Sequence, residues 1–359
     1  MRTAIRRVAL GAAAGALAAL AAGCSSSGPA SPASATSSAG TSTSAGTSTS
    51  AGTSASAGTS ASASTSASAA ASYTIGLVPF SGEEPTSMAA IHGIEAVAKQ
   101  RGWSTTFIDP GGVTAQSVAA IQTLVDKHVN LIVSTVFPAD SLAAGVLAAK
   151  GAGIPVIAAG GSTGPGVEAN WDVGKADGKL LVSELAAVTH GTGNLLVFQY
   201  TPGVACDERV ATLKQYLKTA HFSSVTYDEV PIPGQVQAGY KFGQAWLASH
   251  SGPGAIFGCF DDPTVGALAA IKQAGRTNIT TFGVDGSTAA LSAVKAGTMT
   301  ATVWINGYGL GEEMAAAIPG LIKRGVGGAP LELAAPAVLV DQSNIAAFLK
   351  QYPTALSGQ

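Results

Sequence analysis

From Tyr73 onward the chain alternates between short β-prone runs and longer Ala-rich stretches whose apolar positions recur at helical spacing. Tyr73-Thr-Ile-Gly-Leu-Val78 reads as a strand, and Met88–Arg101 as a helix that stops at Gly102. Ser104–Ile108 is a second strand, and Ala115–His128 a helix with Val118, Ile121, Leu124 and Val125 on one face. Leu131-Ile-Val-Ser-Thr-Val136 is the near-continuous apolar run of a buried parallel strand. Asp140 is placed to cap the next helix, which ends at Gly151 or Gly153. Ile154–Ala158 and Glu168–Val173 are strands four and five. The alternation then restarts, with strands at Leu195–Gln199, Val225–Val230, Ala255–Phe260 and Thr280–Val284, each beside a helical stretch. Two successive β-α-β-α runs predict an α/β protein with parallel sheets covered by helices on both faces. Such sheets bind ligands beyond the carboxyl ends of their strands. Two of them set mouth to mouth would enclose a cleft.

The residues ahead of Tyr73 follow a different pattern. Met1–Arg7 is basic and Val8–Ala22 apolar, a stretch of 15 residues. That is short of the ~20 a membrane-spanning helix needs and suits the apolar region of an export signal. The stretch ends in Ala21-Ala22-Gly23-Cys24, which resembles a bacterial lipobox, with Ala where Leu is usual and Leu20 one position earlier. The expectation is cleavage before Cys24 and lipidation of that residue, which would hold the protein at the outer face of the cytoplasmic membrane. Arg6-Arg7 leaves both the general and the twin-arginine export routes open. Residues 25–72 contain only Ser, Thr, Ala, Gly and Pro. Such a segment has too little apolar surface to offset its ordering entropy. It is expected to act as a flexible tether with a span of roughly 35–40 Å.

Charge and composition exclude several classes. The formal net charge is −2, and it becomes −5 once Arg2, Arg6 and Arg7 leave with the signal. A mildly acidic chain without a basic run lacks the clustered cations that nucleic-acid binding requires. The 45 glycines follow no Gly-X-Y period, and beyond the N-terminus no apolar run is long enough to span a bilayer. Enzyme signatures are missing too. Gly174–Leu180 holds a Gly-Lys pair at the wrong spacing for a phosphate loop, and Gly191-Thr-Gly193 precedes a strand instead of following one. No G-x-S-x-G elbow is present, and His92, His128, His190, His221 and His250 are scattered without metal-ligand spacing. Gly160-Gly-Ser-Thr-Gly-Pro-Gly166 is a loop between adjacent strands, because no helical stretch starts after it. Neither catalysis, a cofactor nor a metal is expected. Apart from Cys24 the chain has Cys206 and Cys259, an even number that permits a disulfide in an oxidising compartment; spacing alone does not pair them.

Four segments taken together resemble the type I periplasmic solute-binding proteins, the ribose-binding-like family that serves ABC importers. They are Asp126-Lys-His-Val-Asn-Leu-Ile-Val-Ser134, Ala149-Lys-Gly-Ala-Gly-Ile-Pro-Val-Ile157, Ala255-Ile-Phe-Gly-Cys-Phe-Asp-Asp-Pro-Thr-Val-Gly-Ala-Leu268, and Phe282-Gly-Val-Asp-Gly286 with Val294-Lys-Ala-Gly-Thr-Met-Thr-Ala-Thr-Val303. They stand in family order over about 73–320. A lipoprotein signal stands where the family's repressors carry a helix-turn-helix. The resemblance implies two Rossmann-like lobes joined by three hinge crossings, near Asp172, Asn306 and Pro336–Val340. It gives an N-terminal lobe of 73–172 plus 306–335 and a C-terminal lobe of 173–305 plus 336–359. It also implies a monomer, an ABC permease as partner, a sugar, polyol or similar small polar ligand, and a Cys206–Cys259 disulfide, since the loops holding these cysteines follow neighbouring strands. A sensor for a membrane signalling partner is the alternative, and a cell-surface enzyme on the same fold the more distant one.

The family's pocket positions carry over only in part. Where ribose-type proteins have Asn-Asn-Pro-Phe-Phe, this chain has Glu83-Glu84-Pro85-Thr86-Ser87, so carboxylate and hydroxyl groups at Glu84 and Thr86 replace amides and stacking rings. Gly160-Gly161 replaces the Asp-Arg sugar clamp. Arg209 and Asp285 match the family's arginine and sugar-binding aspartate, and Phe260-Asp261 stands where Asn precedes Asp. The hinge Gln falls on Ile305, between Trp304 and Asn306. The ligand set implied is therefore Glu84, Thr86, Arg209, Asp261, Asp285 and Asn306. Phe137, Trp171, Phe260 and Trp304 are expected as ring walls near strand ends. Asp261 is alternatively the cap of a helix beginning at Pro263.

Overall fold

The computed structural model describes residues 72–357. The export-signal, Cys24 lipidation and tether readings therefore lie outside the described residues. The first sheet is built from β1 (Thr74–Val78), β2 (Ser104–Phe107), β3 (Leu131–Thr135), β4 (Val156–Ala159), β5 (Val167–Asp172) and β11 (Leu331–Ala334), in the spatial order β11-β5-β4-β3-β1-β2. The second takes β6 (Asn194–Gln199), β7 (Ser224–Glu229), β8 (Gly254–Gly258), β9 (Ile279–Asp285), β10 (Ala301–Ile305) and β12 (Ala337–Asp341), in the order β12-β10-β9-β8-β6-β7. The two orders are the same pattern. Every pairing is parallel except β10 with β12. The chain passes from one sheet to the other after β5, after β10 and between β11 and β12.

The helices between the strands are α1 (Pro85–Arg101), α2 (Thr114–Asp126), α3 (Ala143–Gly151), α4 (Lys175–Thr189), α5 (Val204–Tyr216), α6 (Gln235–Ser249), α7 (Asp261–Gln273), α8 (Thr288–Lys295), α9 (Gly307–Arg324) and α10 (Ile345–Gln351). In the first lobe, Ile75, Leu77, Leu131 and Val133 pack against Ile91, Ile94, Leu310 and Met314 of α1 and α9. Val78, Ile132 and Val156 pack on the other face with Ile121, Leu124 and Val146 of α2 and α3. The period-2 alternation of strand side chains serves two cores, so the central strands read as nearly unbroken apolar runs. The edge strand β7 reads differently: it alternates half-buried and exposed residues, leaving Val225 and Tyr227 at the surface.

Local chemistry sets the helix ends. Glu84 caps α1 with Pro85 in its first turn, and Gly102 closes it at φ 71° with Lys99 and Arg101 in the last turn. α1 lies directly against α9 because Gly93 and Gly311 face the other helix's backbone. A Cβ on Gly93 would run into the Tyr308 carbonyl oxygen, and one on Gly311 into that of Ala90. Asp140 does not cap α3: the helix begins at Ala143 behind Leu142, with no side-chain cap, because Pro138–Leu142 first makes its own tight turn. Cys206 and Cys259 form a disulfide, their Cα atoms 5.0 Å apart. It joins the first turn of α5 to the residue after β8.

Candidate ligand-binding cleft

In each sheet the order reverses beside one strand, β1 in the first and β6 in the second, and the loops that leave the carboxyl ends there open a crevice. The two crevices share one cavity. From the first lobe it is lined by Phe80, Glu84, Thr86, Ser87, Thr135, Val136 and Gly160, and from the second by Tyr200, Cys206, Arg209, Ile232, Phe260 and Asp285. Ile305, which ends β10, and Leu310 on α9 complete it.

The first-lobe wall is locked by its own hydrogen bonds. The Glu84 carboxylate accepts the backbone N–H of Thr86 at 2.8 Å and of Ser87 at 2.7 Å, a charge-assisted cap of α1. The Thr135 hydroxyl accepts the Phe80 N–H at 2.6 Å and donates to the Ser87 hydroxyl at 3.1 Å. Val136 sits at φ 69°, a costly conformation for a β-branched residue. Its carbonyl accepts the N–H of Val204 at 3.2 Å, a backbone bond from one lobe to the other. Beside it the Phe80 and Tyr200 rings meet edge to face at 5.5 Å, again across the lobes.

The second-lobe wall is organised by Arg209, whose side chain is 4% exposed. Its Nη1 donates to the Cys259 carbonyl at 2.7 Å and its Nη2 to the Val173 carbonyl at 2.6 Å. Nη2 also meets Asp177 Oδ2 at 3.3 Å, and Nη1 lies 3.6 Å from Asp285 Oδ1. One guanidinium thus ties together the end of β8, the first interlobe crossing, α4 and the end of β9. Asp285, at φ 113°, is with Val136 one of four non-glycine residues at positive φ among the described residues. Two of the four border the cavity, and stored backbone strain of this kind concentrates at functional sites.

Burial governs the acids. It pushes Asp177 up to about 6 against the opposing pull of Arg209. It pushes Asp261 up to about 7, opposed by hydrogen bonds from the Ser287 N–H and the Thr302 hydroxyl. Asp285 is raised well above its ordinary value, first by burial and then by Glu84, Asp261 and Asp262, with Arg209 opposing. A carboxyl whose folded pKa exceeds its unfolded one contributes stability that is fully present below the unfolded value and is lost as pH rises through the folded value. The expected result is a urea midpoint higher at pH 5 than at pH 8, with Asp177 alone accounting for about 2–3 kcal/mol between pH 4 and 8. Asp261→Asn should flatten the upper part of that slope. A pH-independent midpoint in the wild type would contradict this reading of the buried acids.

Of the residues singled out in the sequence, Glu84, Thr86, Arg209, Phe260 and Asp285 border the cavity. Five others do not. Phe137 stands behind Phe80, ring centroids 5.1 Å apart. Trp171 is in the first-lobe core, its Nε1 donating to Glu313 Oε1 at 2.9 Å. Asp261 is buried behind the wall, where its carboxylate accepts from Ser287 N at 2.7 Å and from the Thr302 hydroxyl at 2.8 Å. Nor is it the cap of a helix at Pro263, since α7 begins at Asp261 itself and Phe260 is the N-cap residue. Trp304 and Asn306 line a neighbouring recess with Tyr308. There Asn306 caps α9 by accepting the Gly309 N–H at 3.0 Å, and Trp304 packs on Phe348 and Tyr352. Phe80, Ser87, Thr135, Val136, Tyr200 and Ile232 were not anticipated. Thr135 and Val136 end or follow β3, and Phe80 and Tyr200 follow β1 and β6 within two residues, so strand-end position was the available signal. Ile232 comes from the β7–α6 loop and had none.

The periplasmic binding protein domain profile matches residues 75–325, and the chain belongs to that family. It is 27% identical over 228 residues to a xylitol-binding protein of Mycolicibacterium smegmatis, across 60% of this chain and 62% of that one. It is 24% identical over 238 residues to the ribose import binding protein of Bacillus subtilis, across 64% and 75%. Among solved structures, an ABC transporter solute-binding protein of Agrobacterium vitis with bound allitol superposes with a TM-score of 0.72 at 25% identity, covering 78% of this chain and 99% of that one. The fold is that of the type I periplasmic binding proteins.

Proposed function

We propose that the chain is the solute-capturing receptor of an ABC importer, which binds a sugar, polyol or similar small polar molecule between its lobes and performs no reaction. The observation that carries this is the cavity itself. It is built from strand ends of both lobes, with Arg209 and Asp285 at its second-lobe wall and Glu84 and Thr86 opposite. The ligands named for the relatives, xylitol, ribose and allitol, support a polyhydroxylated solute. A ligand that touches both walls stabilises the closed arrangement by the contacts it makes only there. The Val136–Val204 bond and the Phe80–Tyr200 pair are contacts of the protein itself between the lobes, which such a ligand would reinforce. Lipidation at Cys24 and the segment after it would keep the receptor beside its permease.

The test is thermal unfolding against a panel of alditols, pentoses, hexoses, nucleosides and amino acids, after stripping co-purified ligand. A solute at 100 times its Kd adds about 2.7 kcal/mol of stability, which raises Tm by several degrees. The expected result is a shift with alditols or sugars that is lost in Asp285→Ala. A panel flat for every carbohydrate would overturn the proposal.

A further inference from the structure

We propose that the cleft selects a deoxy sugar over its fully hydroxylated parent, an inference that rests on reading the cleft as a carbohydrate site. Most of the hydrogen-bonding capacity around the cavity is already used within the protein. Both Glu84 oxygens hold the start of α1, the Thr135 hydroxyl joins Phe80 N to Ser87, and Arg209 spends its terminal nitrogens on two carbonyls and Asp177. Gly160, where the family's sugar clamp stands, offers no side chain at all. The side-chain groups left for a ligand are Asp285 and Thr86, which also border the neighbouring recess, together with Arg209 Nε, buried without a partner, and the Tyr200 hydroxyl.

The rest of the wall is different. Phe80, Val136 and Ile232, with the ring of Tyr200, pack as one apolar cluster that runs from the first lobe onto the second. A hydroxyl pressed against Phe80, Val136 or Ile232 leaves water and finds no side-chain partner, whereas a methyl or methylene loses nothing by the transfer. An apolar wall discriminates against an added hydroxyl only moderately, so the expected preference is about 10–100-fold.

The experiment is calorimetric titration of the full chain with L-fucose against L-galactose and L-rhamnose against L-mannose, with xylitol and D-ribose alongside. At least one deoxy sugar should bind about tenfold or more tightly than its parent. Ile232→Thr, which places a hydroxyl in the wall at a half-buried loop position, should shrink that ratio several-fold while the deoxy sugar still binds. Equal or tighter binding of the parents would overturn this inference and leave the proposed function standing. A preference untouched by Ile232→Thr would overturn the assignment to this wall. Binding of no carbohydrate at all would overturn the proposed function and this inference with it.

Discussion

Arg209→Met is expected to abolish solute binding and to lower stability by about 3–5 kcal/mol, the cost of removing one partner from a buried ionic network. The side chain of Arg209 is 4% exposed and that of Asp177 1%, so water cannot replace the guanidinium. Its loss strands the Cys259 and Val173 carbonyls, which accept at 2.7 and 2.6 Å, and leaves Asp177 and Asp285 without their cation. Both carboxyls would rise further in pKa, so the variant should lose stability with increasing pH more steeply than the wild type. Arg209→Lys keeps a charge without the planar fork that reaches four groups at once, and should recover only part of the loss. Urea unfolding at pH 5 and pH 8 reads all of this. A loss below about 1 kcal/mol would contradict the assigned role, since that is the range of an exposed ion pair.

The second large effect is expected at the disulfide. Cys206 and Cys259 are 53 positions apart, and closing a loop of that length in the unfolded chain corresponds to about 4 kcal/mol in the chain-entropy account. The Cys206→Ser/Cys259→Ser double variant should therefore be less stable by 2–5 kcal/mol, the range found for native disulfides. Placement adds a functional consequence. Cys206 borders the cavity three residues before Arg209, and the Cys259 carbonyl is one of the acceptors that hold Arg209. Breaking the bond loosens both ends of that arrangement, so solute affinity should fall as well. Denaturation and calorimetry with and without dithiothreitol check the two effects separately. Unchanged stability on reduction would remove the disulfide from the account.

The fold was legible wherever apolar runs reported burial on both faces, as at Leu131–Thr135, and wherever composition marked a helix end, as at Gly102. The late edge strand Leu331–Ala334 was not, because it is four residues long and exposes most of them, so its apolar positions report no buried face. At the site, position in sequence found Arg209, Asp285 and Glu84 but did not give the direction of the aromatic rings. Trp171 lies in β5 opposite Leu333 of β11 and falls on the face that α9 covers. Phe137 follows Val136, whose positive φ turns the chain and leaves the next ring beneath Phe80. Asp261 occupies a motif position beside Asp285, yet the approach of Ser287 and Thr302 turns its carboxylate inward. In each case a tertiary neighbour chose the side chain's direction.

The most direct measurement of the central claim is a crystal structure of the protein with the solute that shifts its unfolding most. The account predicts one molecule between the lobes, a hydroxyl within hydrogen-bond distance of the Asp285 carboxylate, and its apolar edge against Phe80 and Ile232. A solute bound outside the cavity, or inside it without contact to Asp285 or Arg209, would contradict the account.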